Sequence, residues 1–200
     1  MVLALRFDRA FICLRRDGAS AGRYSHQRGG MTGRVLQLGI KPKTPGEHGL
    51  PKHPVPELRV TIQGADGDYN HYRATTLDGD PDQAILIVTK ELLAGLGAEG
   101  WPIRPGDLGE NITLDDVPEM ALGPGTRVEL GEVILEVTRP CDPCTGLYSL
   151  PYVGPSRGPE FVRALVGRRG WYARVLSPGV LRPGFPVAVV AGGGAPISRS

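Results

Sequence analysis

The chain has 200 residues, enough for one compact domain or slightly more, and its 40% hydrophobic content is typical of a globular protein. Its longest apolar stretches, such as 84–88 and 186–191, are far shorter than the ~20 residues of a membrane helix, and three cysteines cannot build a disulfide framework. Residues 1–30 hold six arginines against two aspartates, whereas the remainder is slightly acidic. We therefore expect no membrane span, no nucleic-acid partner, and a reducing compartment such as the cytoplasm.

The first thirty residues differ in character from the rest of the chain. They show no sustained periodicity, and Arg6 and Asp8 interrupt the apolar start before a signal-peptide core of ~7–15 residues can form. We interpret residues 1–30 as a disordered leader or as sequence upstream of a true start at Met31, with an arginine-rich targeting peptide as the alternative. The folded domain is expected over 31–190, and 191–200 is expected to be a flexible Gly-rich tail.

Many short strands, separated by Gly and Pro, are predicted after the leader. The alternation of apolar and polar residues, or a short apolar run, predicts strands at 34–40, 58–62, 84–88, 112–114, 171–176 and 186–190. Residues 126–138 predict a hairpin that turns at Gly131. Short helices are predicted at 91–99 and 159–168, and residues 64–83 are expected to be a polar loop.

The hairpin has the best-defined register. Val128 and Leu130 share a face with Val133, Leu135 and Val137, and a slip of one residue would bury the intervening charged side chains. Because six or seven strands accompany only two short helices, the fold is predicted to be mainly β. A closed or half-closed barrel is the architecture that removes exposed strand edges.

Two cysteines directly follow the hairpin, in the sequence Arg139-Pro140-Cys141-Asp142-Pro143-Cys144. A thiolate is a soft nucleophile and a soft metal ligand, and Arg139 would favour its ionised form while Asp142 would oppose it. A structural zinc site would need further ligands from Cys13 or four scattered histidines, and a thioredoxin-like dithiol would need a βαβ setting that is absent here. Packing of two small residues at a barrel rim remains the structural alternative.

A second motif, at 102–114, reads PIRPGDLGENITL. Gly106 and Gly109 allow tight turns and close approach of a ligand before Glu110 and Asn111 enter a strand. The Asn111 amide both donates and accepts hydrogen bonds and therefore suits a planar heterocycle or an anion. The alternative is that it caps the start of the strand.

Several segments, in this order, resemble the MOSC domain, the module named for the C-terminus of molybdenum-cofactor sulfurases. The resemblance covers about 160 residues from Met31 onward. It rests on GRVLQLGI, PKHPV at 51–55, GADGDYNHYR, GDPDQA at 79–84, GDLGENITL, residues 139–147, and GWYARVL followed by GVLRPG. It implies a β-barrel of the pyruvate-kinase type with a few short helices, in which a cysteine after a strand meets the molybdenum cofactor (molybdopterin).

The resemblance also implies site residues. The frame Pro143-Cys144-Thr145-Gly146-Leu147 matches the family better than the frame around Cys141, so Cys144 is the predicted catalytic residue and molybdenum ligand. Glu110 and Asn111 are expected to bind the cofactor. The basic residues near its phosphate are expected to include Lys52, Arg139 and Arg174, with the other candidates being Arg104, Arg168 and Arg169. The chain departs from the His-Gly-Gly-Pro of many relatives, because it has Asp78-Gly79-Asp80-Pro81 instead.

Two functions of different classes are compatible with this resemblance. The first is a molybdenum-cofactor-dependent oxidoreductase that reduces N-hydroxylated compounds with electrons from a partner protein. The second is a carrier that is not itself an enzyme and delivers the cofactor, or a Cys144 persulfide received from a sulfur donor, to another protein. The sequence shows no pyridoxal-phosphate desulfurase domain, ferredoxin domain or GxGxxG fingerprint, so sulfur or electrons are expected to come from elsewhere.

Overall fold

The structure, a computed structural model, describes residues 31–47 and 49–192. The leader, Cys13, His26, His48 and the tail from residue 193 lie outside the described residues. The strands are β1 (Met31–Ile40), β2 (His53–Pro54), β3 (Leu58–Thr61), β4 (Gly64–Ala65), β5 (Ile85–Thr89), β6 (Ile112–Asp115), β7 (Arg127–Leu130), β8 (Val133–Pro140), β9 (Trp171–Ser177), β10 (Gly179–Leu181) and β11 (Pro186–Val190). The α-helices are α1 (His71–Thr75), α2 (Lys90–Ala98) and α3 (Gly154–Ala164).

Seven strands close into a barrel, in the order β1, β11, β7, β8, β9, β5 and β6, with β6 pairing back to β1. Every neighbouring pair is antiparallel except β5 and β6, which are parallel and joined by a crossover through α2. The short β2 extends the far end of β1, and β10, β3 and β4 form a separate sheet of three strands. The prediction of a mainly β barrel with a few short helices is confirmed.

The hairpin of β7 and β8 forms in the predicted register. Leu130 lies opposite Val133 and Val128 lies opposite Leu135, and all four side chains are buried in the barrel interior. Arg127 and Glu136 pair on the outer face. The register is fixed because only one face of the hairpin is apolar.

Several segments differ from their predicted structure: the short strands β2, β4 and β10 were not predicted, and two further differences concern helices. Residues 64–83, predicted as a polar loop, contain α1 and a 3-10 turn at Pro81–Gln83. No residue of α1 is buried, so no apolar periodicity marks it in the sequence; it is held by its Asn70 cap and by Arg73. Helix α3 begins at Gly154, five residues before the predicted start, because Pro155 occupies the first turn, where a missing N–H costs nothing.

A second apolar core lies outside the barrel, beneath α2 and α3. Trp101 and Phe161 meet at its centre, with their ring centroids 4.6 Å apart, and the Arg157 guanidinium lies 4.1 Å over the Trp101 ring. Leu147 and Leu150 are buried in the same cluster. This packing anchors the segment that follows Cys144, so the cysteine stands on a fixed support.

Among the described residues, none of the helices is both long enough and apolar enough to span a bilayer.

Candidate functional site

A cavity of about 620 Å³ opens where β8 ends and β9 begins. Its wall combines basic, polar and apolar side chains from loops that lie far apart in sequence, among them Leu50, Lys52, Tyr72, Arg139, Cys144 and Arg169. A concave site of this size with a few convergent polar groups is the usual form of a ligand pocket.

Cys144 faces this cavity and contacts a buried guanidinium. It is exposed, and Arg169 Nη1 donates to its Sγ at 3.6 Å. Arg169 is only 6% exposed and is held by two carbonyls, with Nη1 2.7 Å from Asp142 O and Nη2 3.2 Å from Leu108 O. Its Nε has no hydrogen-bond partner, and within residues 31–47 and 49–192 no carboxylate forms an ion pair with it. The Cys144 sulfur is therefore the side-chain atom that the Arg169 guanidinium contacts at the cavity.

Cys141 occupies a different environment from Cys144. It is 1% exposed, packs with Leu86 and Tyr172, and its backbone N–H donates to Gly170 O at 2.9 Å. Burial raises the pKa of the Cys141 thiol. Its packing agrees with the structural alternative for this residue, whereas Cys144 has the exposure and the cation that thiol chemistry needs.

Lys52 belongs to the same cavity wall as a buried cation. Its Nζ donates to Asp68 Oδ2 at 2.6 Å, and the side chains of the pair are 3% and 9% exposed. Asp68 also accepts from Asn111 Nδ2 at 3.0 Å and from Lys41 N at 2.9 Å. Burial lowers the pKa of Lys52, and the attraction of Asp68 opposes that change.

Asn111 and Glu110 direct their polar atoms mainly into the protein. Asn111 Oδ1 accepts from Leu86 N at 3.1 Å, and Nδ2 also donates to Gly39 O at 3.3 Å, so Asn111 ties β5 to β1 and lines only a small adjoining cavity. Glu110 is 1% exposed; its Oε1 accepts from Gly106 N at 2.6 Å, and its Oε2 has no hydrogen-bond partner in the described part of the chain. Burial raises the pKa of Glu110 to about 7.

The basic residues expected near the phosphate separate into two groups. Arg139 is exposed, lines the cavity and lies 5.8 Å from the Tyr172 ring centroid, which places it with Lys52 and Arg169. Arg174 lies outside the lining of the cavity, where its Nε is 3.2 Å from Asp82 and 3.7 Å from Glu136. Arg168 pairs with Glu99, and Arg104 is exposed outside the cavity lining.

Sequence reasoning did not assign a role to Asp68 or Tyr72 and left Arg169 among several basic candidates. Asp68 and Tyr72 belong to the GADGDYNHYR segment, which carried part of the family resemblance. The motif therefore marked the segment but did not indicate what these two side chains contact. In the part of the chain that the structure describes, no three His, Cys, Asp or Glu side chains cluster as a metal site would require.

The sequence matches the MOSC domain family over residues 74–188, which is more than half of the chain. The chain belongs to the MOSC domain family. A curated relative of this MOSC protein, Protein YiiM of Escherichia coli strain K12, is 26% identical over 141 residues, which make up 68% of this chain and 60% of YiiM. The chain therefore spans less than two thirds of that relative's length.

Solved structures share the fold of this MOSC protein. The YUAD protein from Bacillus subtilis superposes with a TM-score of 0.64 at 23% identity, over 80% of this chain and 96% of that one. YiiM from Geobacillus stearothermophilus gives a TM-score of 0.59 at 26% identity, over 79% and 75% of the two chains. YiiM from Escherichia coli gives 0.57 at 22% identity, over 80% and 70%.

Proposed function

We propose that this MOSC protein binds the molybdenum cofactor in the cavity at Cys144 and reduces N-hydroxylated compounds in the cytoplasm. The contact between Cys144 Sγ and the buried Arg169 guanidinium carries the proposal. A buried cation without a carboxylate partner stabilises an anion beside it, here the cysteine thiolate, and a thiolate is the side-chain ligand that a soft metal prefers.

The side chains of the cavity fit the cofactor in kind. Cys144 supplies the soft ligand, and Arg139 and Arg169 place positive charge along the wall where an anionic phosphate would bind, whereas the Lys52 ammonium is already paired with Asp68. The buried Nε of Arg169 has no hydrogen-bond partner among the described residues, so the guanidinium keeps unsatisfied hydrogen-bonding capacity beside the cavity. Glu110, Asn111 and Arg174 are not part of this proposal as direct ligands, since their hydrogen bonds and ion pairs are made with the protein.

When bound, the cofactor supplies a metal centre that exchanges electrons. Reduction of a hydroxylamine follows R–NHOH + 2e⁻ + 2H⁺ → R–NH₂ + H₂O, so the site must receive two electrons and two protons. In the proposal the electrons come from a partner protein. The residues of this chain bind the cofactor, hold the substrate against it and provide protons.

Metal content and turnover together test this function. Wild type, Cys144→Ser and Cys141→Ser are reconstituted anaerobically with molybdenum cofactor and assayed with N-methylhydroxylamine and a chemically reduced dye. We expect molybdenum and turnover in wild type and Cys141→Ser, and loss of both in Cys144→Ser, which should keep the wild-type melting temperature because the side chain is exposed. A Cys144→Ser variant that binds molybdenum as wild type does would refute the ligand assignment.

The exposure of Cys144 also favours the second candidate, a carrier that receives a persulfide from a sulfur-donor protein. The same preparations distinguish the two functions. A carrier would show the mass of one added sulfur on Cys144 and no turnover with any electron donor, whereas the reductase shows turnover without that adduct.

A further inference from the structure

Lys52 is a buried cation that the proposed cofactor ligation does not require. It lines the large cavity with Cys144, yet its side chain is only 3% exposed, so its ammonium is directed into an enclosed space rather than into solvent. An ammonium has three N–H donors, and the bond to Asp68 Oδ2 uses one. We propose that Lys52 is the proton donor for cleavage of the substrate N–O bond, an inference that rests on the proposed reductase function.

Hydrogen bonds fix both the Lys52 backbone and Asp68, the partner of its ammonium group. Asp68 cannot rotate away, because its Oδ1 is fixed by Lys41 N and its Oδ2 by Asn111 Nδ2. The backbone N–H of Lys52 donates to Gly106 O at 2.9 Å, which also fixes the start of the side chain. A general acid must be held within hydrogen-bond reach of the atom that it protonates, and this arrangement provides such a fixed donor.

The surroundings of Lys52 have two opposing effects on its ammonium group. Burial lowers its pKa, which makes the ammonium a stronger acid than a surface lysine. Asp68, Glu110 and Cys141 act on the charge of Lys52, and Arg73 and Tyr172 line the smaller cavity with it. The other ionisable groups that line the larger cavity with Lys52 are His71, Tyr72, Arg139, Asp142, Cys144 and Arg169. The attraction of Asp68 and Glu110 opposes the effect of burial on Lys52, and burial raises the pKa of the neighbouring Cys141 thiol.

The proposed step balances with the reaction above. As two electrons enter and the N–O bond breaks, the electron pair of that bond stays with oxygen, and Lys52 Nζ gives it a proton so that it leaves as water. The second proton and the reprotonation of Lys52 come from solvent. A second cavity of about 30 Å³, lined by Lys52, Asp68 and Asn70, has room for a single water on that path.

Three variants test the assignment. Lys52→Met removes the proton, Lys52→Arg keeps the charge on a group that does not release a proton, and Lys43→Met removes an exposed lysine of the same connection as a control. We expect both Lys52 variants to retain molybdenum and their kcat to fall about 100-fold or more. In wild type, kcat should decline at alkaline pH as Lys52 loses its proton, and this decline should be absent from both variants. Lys43→Met should match wild type.

Opposite results overturn the inference in identifiable ways. Loss of molybdenum from Lys52→Met would show that the ammonium binds the cofactor, and wild-type turnover in Lys52→Arg would show that charge alone suffices. If Lys52→Met does not fold, the double variant Lys52→Met/Asp68→Asn, which removes both charges of the pair, is used in its place. A molybdenum-loaded wild type that reduces no N-hydroxylated compound would instead refute the proposed function.

A measurement without cofactor or substrate completes the test. The ¹³Cε signal of Lys52, assigned by its absence in the Lys52→Met spectrum or in that of the double variant, is titrated by NMR in the protein. We expect Lys52 to deprotonate at lower pH than Lys43. Titration of both lysines together would overturn the assignment of Lys52 as the acid.

Discussion

Arg169 Nη1 lies 3.6 Å from Cys144 Sγ, and this contact joins two loops that are 25 residues apart. Backbone carbonyls at Asp142 and Leu108 satisfy the rest of the guanidinium's terminal nitrogens. Carbonyls fix its position without neutralising its charge, so the field of the guanidinium is felt at the sulfur. The contact therefore places a fixed positive charge beside the Cys144 sulfur.

The first prediction concerns this dependence. Arg169→Leu should slow alkylation of Cys144 by iodoacetamide at neutral pH about 10-fold or more, because a thiolate is the reacting form and the nearby positive charge is lost. The alkylation rate of Arg169→Lys should lie between those of wild type and Arg169→Leu. The matched control is Arg168→Leu, which removes the neighbouring arginine together with its exposed pair with Glu99 and its hydrogen bond to Ala164 O. Equal rates in all four proteins would show that the contact does not activate the cysteine.

The barrel could be predicted from the sequence because its strands carry a strong period. The hairpin of β7 and β8 alternates along its length, and the run at 84–88 is apolar throughout, so both could be placed to within two residues. Helix α1 could not be predicted, because it has no buried face and is held by single hydrogen bonds such as that between Arg73 Nε and Asp80 O, at 2.8 Å. Sequence periodicity reports burial and is silent on such local bonds.

The candidate site could be predicted only in part, for a related reason. Cys144 stands out because it follows a well-defined strand, but its partner Arg169 precedes a different strand and is one of several arginines near it. The role of Asp68 depends on Lys52 and Asn111 approaching it from two other loops. Contacts between loops depend on closure of the barrel, which no local pattern encodes.

The second prediction concerns Asn111. Asn111→Ala leaves the buried Leu86 N–H without its 3.1 Å acceptor and should lower the free energy of unfolding by about 1–3 kcal/mol. Asn70→Ala serves as the comparison, because it removes the cap of α1 and a hydrogen bond with Tyr172 at the cavity rim; loss of the cap should cost about 1 kcal/mol. Urea denaturation measures both. An Asn111→Ala protein with wild-type stability but no bound molybdenum would instead make Asn111 a cofactor ligand.

The third prediction is a pH dependence that arises from Glu110. Its folded-state pKa of about 7 lies above the ordinary value of 4.5, so the folded state holds the proton more tightly than the unfolded state. The stability from this group is complete below pH 4.5 and is lost as the pH rises to about 7, by about 3 kcal/mol in total. Glu110→Gln mimics the protonated carboxyl and should lack this loss.

Unfolding of wild type, Glu110→Gln and the outward-facing control Glu129→Gln at pH 5 and pH 8 measures the effect. The loss between the two pH values should be larger in wild type and Glu129→Gln than in Glu110→Gln. If the free energy of unfolding falls equally in all three proteins, Glu110 does not cause the pH dependence. Neighbouring groups would then stabilise its buried carboxylate as well as water does in the unfolded state.

The last prediction uses two glycines in the connection between α3 and β9. Gly167 and Gly170 both have positive φ, at 73° and 88°, but they differ in surroundings. A Cβ on Gly167 would meet no heavy atom within 4 Å, whereas one on Gly170 would lie 2.4 Å from Ile87 O, a carbonyl of β5. Gly167→Ala should therefore cost about 1–2 kcal/mol for backbone strain alone, and Gly170→Ala should cost more because a barrel strand must move.

The functional consequence should follow the same order. Gly170 directly follows Arg169, and its carbonyl accepts from Cys141 N at 2.9 Å, so a shift at Gly170 displaces the guanidinium from Cys144. Gly170→Ala should slow alkylation of Cys144 by iodoacetamide, and Gly167→Ala should leave that rate unchanged although it lowers the melting temperature. Slowing in both variants would mean that general loosening of the connection, rather than the position of Arg169, governs the cysteine.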